Sequence, residues 1–324
     1  MKKEFSAYPL HFEPILKERI WGGTKLKTEL HKTIPYETTG ESWEISTVAG
    51  DVSVVSNGEY NQQNLQVLIN EFPKEILGTA VHKKFGTDFP LLFKFLDARE
   101  DLSIQVHPND ALAKAKHNSF GKTEMWYVMQ AEENARILVG FKDDSNPETY
   151  LQHLKDKTII SILDSIPVKS GDAFMLNTGT VHAIGAGILL AEIQQTSDIT
   201  YRIYDFDRTD STGHLRELHT DLALEAINYN KISSESLYSK TENESNTIVD
   251  CPYFTTNYLK VTDLINIQKS KETFTVYMCV DGDCSITYNG KSQSLAKGQT
   301  VLIPAALSFY SINGNATLLE IYIS

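Results

Sequence analysis

Apolar and polar residues alternate over several short stretches of this chain, the period of a strand with one buried face. Residues 41–46 alternate in this way. So do residues 101–107, which place Ser103, Gln105 and His107 on one face. Three polar side chains on one strand face suit the wall of a polar cavity better than a sealed core. Residues 90–96 form an apolar run broken only by Lys94, and residues 123–128 are rich in strand formers around Glu124. Strand and turn continue over 168–182, ending at His182. Gly185-Ala186-Gly187 then turns into an apolar stretch carrying Glu192. Helical spacing is confined to short segments. One spans 64–77 and is stopped by Gly78. A second is capped by Asn109 or Asp110 and runs through Lys116. A third starts behind Asn146 and Pro147, and others cover 158–164 and 218–229. Trp21-Gly22-Gly23-Thr24 reads as a turn carrying an aromatic, and 231–247 as a polar, Ser-rich linker. The pattern predicts a mainly β fold with helical insertions.

After that linker the chain repeats itself in abbreviated form. Phe274-Thr275-Val276-Tyr277-Met278 parallels Glu124-Met125-Trp126-Tyr127-Val128, and Gly298 to Ile303 parallels Gly171 to Leu176. In this register Glu124 falls opposite Phe274 and His182 opposite Phe309. Aromatic residues at those positions predict a second barrel with a packed centre and no metal. The spacing and the Gly-led strand resemble the cupin barrel. Two cupin-type β-barrels (double-stranded β-helices) are therefore expected, a larger one with helical insertions over 1–240 and a smaller one over 241–324.

Composition narrows the partners. The chain has 324 residues, 41% of them hydrophobic and 22% charged, as in an ordinary globular protein. A net charge of −12 argues against nucleic acid or an anionic membrane as the main partner. Any phosphate on a substrate would then need a local cluster of Lys or Arg. No apolar run reaches membrane-spanning length, and the charged start is followed by no apolar segment of a signal peptide. Cys251, Cys279 and Cys284 lack metal-ligand spacing and read as free thiols, which predicts a cytoplasmic protein. A monomer or a weak homo-oligomer is expected.

Gln105, His107, Glu124 and His182 supply two nitrogens and two oxygens, a donor set suited to one zinc ion per chain. With only Glu124 charged, the bound ion would keep a net charge of about +1, which favours a Lewis acid over a structural staple. Gln105-Val106-His107-Pro108, Lys122-Thr123-Glu124 and His182-Ala183 resemble the zinc site of the type I mannose-6-phosphate isomerases. Tyr201-Arg202 is similar to the segment carrying that family's catalytic arginine. Trp21-Gly22 and the run 91–96 also fit, and the likeness covers nearly the whole chain in its short bacterial form. The longer enzymes read His-Lys-Pro-Glu where this chain has Gly121-Lys122-Thr123-Glu124, and Ala-Tyr where it has Ala183-Ile184. The resemblance implies interconversion of mannose 6-phosphate and fructose 6-phosphate through an enediolate. It implies Arg202 as the catalytic group and Trp21 and Lys94 as active-site residues. Lys122 and Ser103 join them as candidate contacts to the phosphorylated hexose, and Glu192 is a candidate either to fix a hydroxyl or to accept a proton, the base itself being unassigned.

Two other readings compete. An iron dioxygenase on the same fold would want a His-rich ligand set and open positions for oxygen, which Gln105 and the Lys and Arg array fit less well. A non-catalytic sugar-binding cupin would have been free to lose the ligand set that this chain retains.

Overall fold

The computed structural model describes residues 4–209 and 213–324. In the larger unit an antiparallel sheet runs Ala173–Leu176, Glu124–Ala131, Ile188–Gln195, Leu91–Ala98, Ile15–Gly23, Thr39–Ile45. A second sheet runs Leu163–Pro167, Arg136–Phe141, His182–Ile184, Ile104–Val106, Tyr201–Tyr204. Their inner faces meet in one apolar cluster, with Trp126, Val128 and Leu190 from the first sheet and Ile137, Val139 and Ile184 from the second. Leu91–Ala98 and Ile188–Gln195 are buried along their whole length. Such strands cannot alternate, so 90–96 reads as a run.

The smaller unit repeats this topology. Thr300–Ile303, Thr275–Tyr288, Phe309–Tyr322 and Thr255–Val261 lie in the same order as Ala173–Leu176, Glu124–Ala131, Ile188–Gln195 and Leu91–Ala98. Both units are cupin-type double-stranded β-helices. Their register can be fixed from hydrogen bonds. Gly171 and Gly298, both at positive φ, donate to the carbonyls of Val128 and Cys279, which donate in return to Asp172 and Gln299. Val128 therefore corresponds to Cys279, and Glu124 to Thr275 rather than to Phe274. A bulge recurs one step further on, where Val128 and Gln130 face Leu190 and Leu189, and Cys279 and Asp281 face Leu318 and Thr317. Counting back eight residues from Leu190 and Leu318 places His182 opposite Tyr310. Tyr310 is buried at 5% exposure, whereas Phe309 is 62% exposed. The expectation that Phe309 fills the second centre is thus corrected by one residue, and a slip of one moves a side chain to the other face.

Local differences have local causes. The 64–77 segment is two helices, Leu65–Glu71 and Pro73–Leu77, because Pro73 cannot continue the first and instead opens the second. Asn64, Asn109 and Asn146 each cap a helix through their side-chain oxygen. Residues 158–164 hold only a 3-10 turn, Ile159–Ile162, before the strand Leu163–Pro167. Trp21 lies in the strand Ile15–Gly23, not in a turn. The 231–247 stretch is no free linker. Ser234 accepts from the Met175 N–H at 2.7 Å, and Ser236 donates to the Ala173 carbonyl at 2.8 Å. These bonds lay the segment along an otherwise unpaired strand edge. Among the described residues, no helix is long and apolar enough to cross a membrane.

Candidate active site

The strand Ile104–Val106 presents Gln105, and His107 follows one residue past its end. His182 sits directly across from Gln105 on the neighbouring strand. Glu124 comes from the facing sheet, at the first position of Glu124–Ala131. These side chains converge. His107, Glu124 and His182 are fully or almost fully buried, and their ligand-type atoms all lie within 4.8 Å of one another. His107 Nδ1 bonds the Ile199 carbonyl at 2.9 Å and His182 Nδ1 the Thr180 carbonyl at 2.8 Å. A carbonyl can only accept, so Nδ1 carries the proton in each ring and the Nε2 lone pairs face inward. Those nitrogens lie 3.5 and 3.3 Å from the Glu124 oxygens. Gln105 Nε2 is 3.2 Å from His182 Nε2, and turning that amide over would present its oxygen to the same point.

Burial holds the His107 imidazole well below its usual range, helped by the neighbouring Lys122 charge, and holds His182 at about 4. Both rings are therefore neutral at pH 7. Burial also pushes Glu124 up to about 7, against the pull of Lys122. Neither Glu124 oxygen has a partner of hydrogen-bond geometry, although Lys122 Nζ ion-pairs with Oε2 at 2.9 Å. The same ammonium lies 3.0 Å from His107 Nε2. Two inward imidazole lone pairs and an unsatisfied buried carboxylate are a donor set that fits a divalent cation.

Above this cluster opens a cavity of about 410 Å³. Trp21, Lys94, Ser103, Gln105, Lys122, Glu192 and Arg202, all singled out from sequence, line it together. Lys94 donates to Glu192 at 2.9 Å and to Gln194 at 2.6 Å, and Trp126 donates to the other Glu192 oxygen at 2.9 Å. Burial alone would raise Glu192, but Lys94 and Lys122 outweigh it and hold the carboxylate at about 2. Arg202 donates from Nη1 to the Glu217 carbonyl at 2.8 Å, while its buried Nε has no partner among the described residues.

Lys17, Arg19, Glu41, Trp43, Asp198 and Arg216 also line the cavity and were not singled out from sequence. The signal was there in part, since Lys17, Arg19 and Trp21 repeat at every second residue of one strand. Most of these charges are matched. Lys17 pairs with Asp51, Arg19 with Glu41, and Arg216 with Asp205, which also holds Arg208.

The site in the second unit has the same frame with other groups. Gln105, Glu124 and His182 correspond to Ile267, Thr275 and Tyr310. Glu320, the counterpart of Glu192, accepts from Tyr277 at 2.9 Å and Asn257 at 3.0 Å, as Glu192 accepts from Trp126 and Lys94.

Residues 10–136 match the model of the phosphomannose isomerase type I catalytic domain, and residues 244–323 match that of the mannose-6-phosphate isomerase cupin domain. The mannose-6-phosphate isomerase of Streptococcus mutans is 36% identical over 97% of this chain and 98% of its own length. The ManA isomerase of Bacillus subtilis is 36% identical over 95% of this chain and 96% of its own. A crystal structure of the Bacillus subtilis mannose 6-phosphate isomerase superposes with a TM-score of 0.90 at 34% identity, covering 98% of this chain and 99% of that one. With the fold, the duplicated frame and near full-length likeness in agreement, the chain belongs to the type I phosphomannose isomerase family.

Proposed function

We propose that this chain is a zinc-dependent aldose–ketose isomerase that interconverts D-mannose 6-phosphate and D-fructose 6-phosphate. The observation that carries the reading is the buried, oriented set His107, Glu124 and His182 beside Gln105 and Lys122, which line a cavity rich in cations. One zinc ion per chain is proposed to be held by these four side chains, where it would polarise substrate hydroxyl and carbonyl oxygens. The reaction moves a proton from C2 to C1 of the open-chain sugar, and charge builds on the C1 and C2 oxygens as the enediolate forms. Arg202 is proposed to face that charge, since its buried Nε is a donor in want of an acceptor. Lys94, Ser103, Lys122 and Trp21 are proposed to hold the sugar and its phosphate. Glu192 is proposed to position Lys94 rather than to take the proton, because a carboxylate held at about 2 is a weak base. A cytoplasmic location and a monomer or weak homo-oligomer complete the proposal.

A coupled assay for fructose 6-phosphate tests it. Turnover of mannose 6-phosphate is expected to vanish on chelation and to return with zinc. Arg202→Lys should still hold zinc yet turn over at least about tenfold more slowly, because lysine lacks the forked donor set. No turnover by the zinc-loaded chain would sink the activity, and wild-type turnover in Arg202→Lys would sink the role given to Arg202.

A further inference from the structure

One side chain of the second barrel, Tyr253, is linked by hydrogen bonds to the segment that carries Lys122 and Glu124. Tyr253 lies in the loop between the strands Asn246–Asp250 and Thr255–Val261. Its hydroxyl donates to Asp110 Oδ2 at 2.7 Å. Asp110 opens the helix Asp110–His117, and its other oxygen accepts from the Gly121 N–H at 2.8 Å and from Gln195 Nε2 at 3.0 Å. Gln195 in turn accepts the Thr123 N–H on its side-chain oxygen at 2.9 Å and donates its own N–H to the Thr123 carbonyl at 3.1 Å.

The bonds from Asp110 and Gln195 end on the segment 121–123, which delivers Lys122 and Glu124 to the cluster, and Tyr253 reaches that segment through Asp110. That segment is not held by a sheet ladder at this point, because the strand begins only at Glu124. Two backbone bonds hold it, from the Lys122 N–H to the Pro108 carbonyl at 3.2 Å and from the Gln195 N–H to the Thr123 carbonyl at 3.1 Å, while the N–H groups of Gly121 and Thr123 are left to the side chains of Asp110 and Gln195. Gly121 is part of the device, since a Cβ there would lie 2.7 Å from the Asp110 backbone nitrogen. Thr123 is another part, because it offers an N–H that a proline would lack.

We propose that Tyr253, acting through Asp110 and Gln195, is a positioning residue for the segment carrying Lys122 and Glu124. The second barrel thereby sets the geometry of a metal ligand in the first. Groups that orient metal ligands characteristically change metal affinity or activity by about 10–100-fold when removed. The proposal rests on the isomerase reading only where turnover is measured.

The test is Tyr253→Phe in the full-length chain, with Tyr238→Phe as the control. Tyr238 also gives its hydroxyl to a backbone carbonyl of the first barrel, that of Gly171 at 2.6 Å, and is not a member of the chain of bonds that leads to 121–123. In metal-free protein, amide hydrogen exchange of the peptide spanning residues 119–126 is expected to speed up in Tyr253→Phe and to stay unchanged in Tyr238→Phe. In zinc-loaded protein, release of the ion to excess chelator should quicken by about tenfold in Tyr253→Phe, with kcat lowered by a similar factor and KM within about twofold. Wild-type exchange in that peptide together with wild-type zinc release would overturn the proposal. So would a Tyr253→Phe variant whose losses only track its unfolded fraction in urea. A failed isomerase assay alone would leave the exchange and release results standing and would instead strike the activity.

Discussion

Both carboxylate oxygens of Glu192 are engaged before any substrate arrives, one by Lys94 and one by Trp126. With its carboxyl held at about 2, the group gains stability from being ionised in the folded chain. The sign follows from proton counting. Between about 4.5 and 2 the unfolded chain takes up this proton first, so the contribution is full above about 4.5 and is lost as pH falls toward 2. Glu192→Gln should therefore lower the urea midpoint at pH 7 and narrow its gap to wild type at pH 3. A gap that stays constant with pH would show that the pair adds nothing through its charge. Residues such as His107, Glu124 and His182 were legible in the sequence mainly through motifs that resemble a known zinc site, since a lone histidine is more often a satisfied core residue. The cavity wall was less so. Arg19 with Glu41, Lys17 with Asp51, and Arg216 with Asp205 are partners from distant segments, and no local pattern announces such pairs.

Among the elements, the duplication was visible in outline and wrong in register. Thr275–Tyr288 opens with six consecutive buried residues, so neither face shows in the alternation and a shift of one leaves the pattern intact. The turn before Phe309–Tyr322 also has one residue more than the turn before His182 once the bulges are matched. The Gly-led strands were aligned correctly because Gly171 and Gly298 both need the left-handed backbone, a requirement that sequence does show. The corrected register moves the stability forecast from Phe309 to Tyr310. Tyr310 is buried and bonds the Tyr277 hydroxyl at 2.9 Å. Tyr310→Ala is expected to cost about 3–5 kcal/mol, in the range of large aromatic truncations. Phe309→Ala should stay within about 0.5 kcal/mol, as exposed positions do. Denaturant unfolding of the two variants decides it, and equal losses would return the packed centre to Phe309.

At the scale of the molecule, the two barrels share structure that composition did not reveal. The first short strand, Leu10–His11, pairs with Leu302 and Val301 and so belongs to the second barrel's sheet. Lys32 bonds the Gly298 carbonyl at 2.8 Å while forming a buried ion pair with Glu44 at 2.7 Å. The backbone of Ala305 donates to Ile76, and the ring of Phe274 lies 5.0 Å from that of Phe89. One apolar cluster runs through both units, joining Leu68, Phe93 and Met125 to Val276, Leu302 and Ile321. Cutting the chain near residue 240 would expose that cluster and leave the Lys32–Glu44 pair without its cover, and opening a buried ion pair to partial loss is costly. Unfolding should therefore be a single transition, with tryptophan fluorescence, confined to the first unit by Trp21, Trp43 and Trp126, tracing the same curve as far-ultraviolet circular dichroism. The fragment 1–240 should fail to give that transition at all. A soluble, cooperatively folding 1–240 fragment, or two resolved transitions in the whole chain, would show instead that the barrels are independent and that the second only rests against the first.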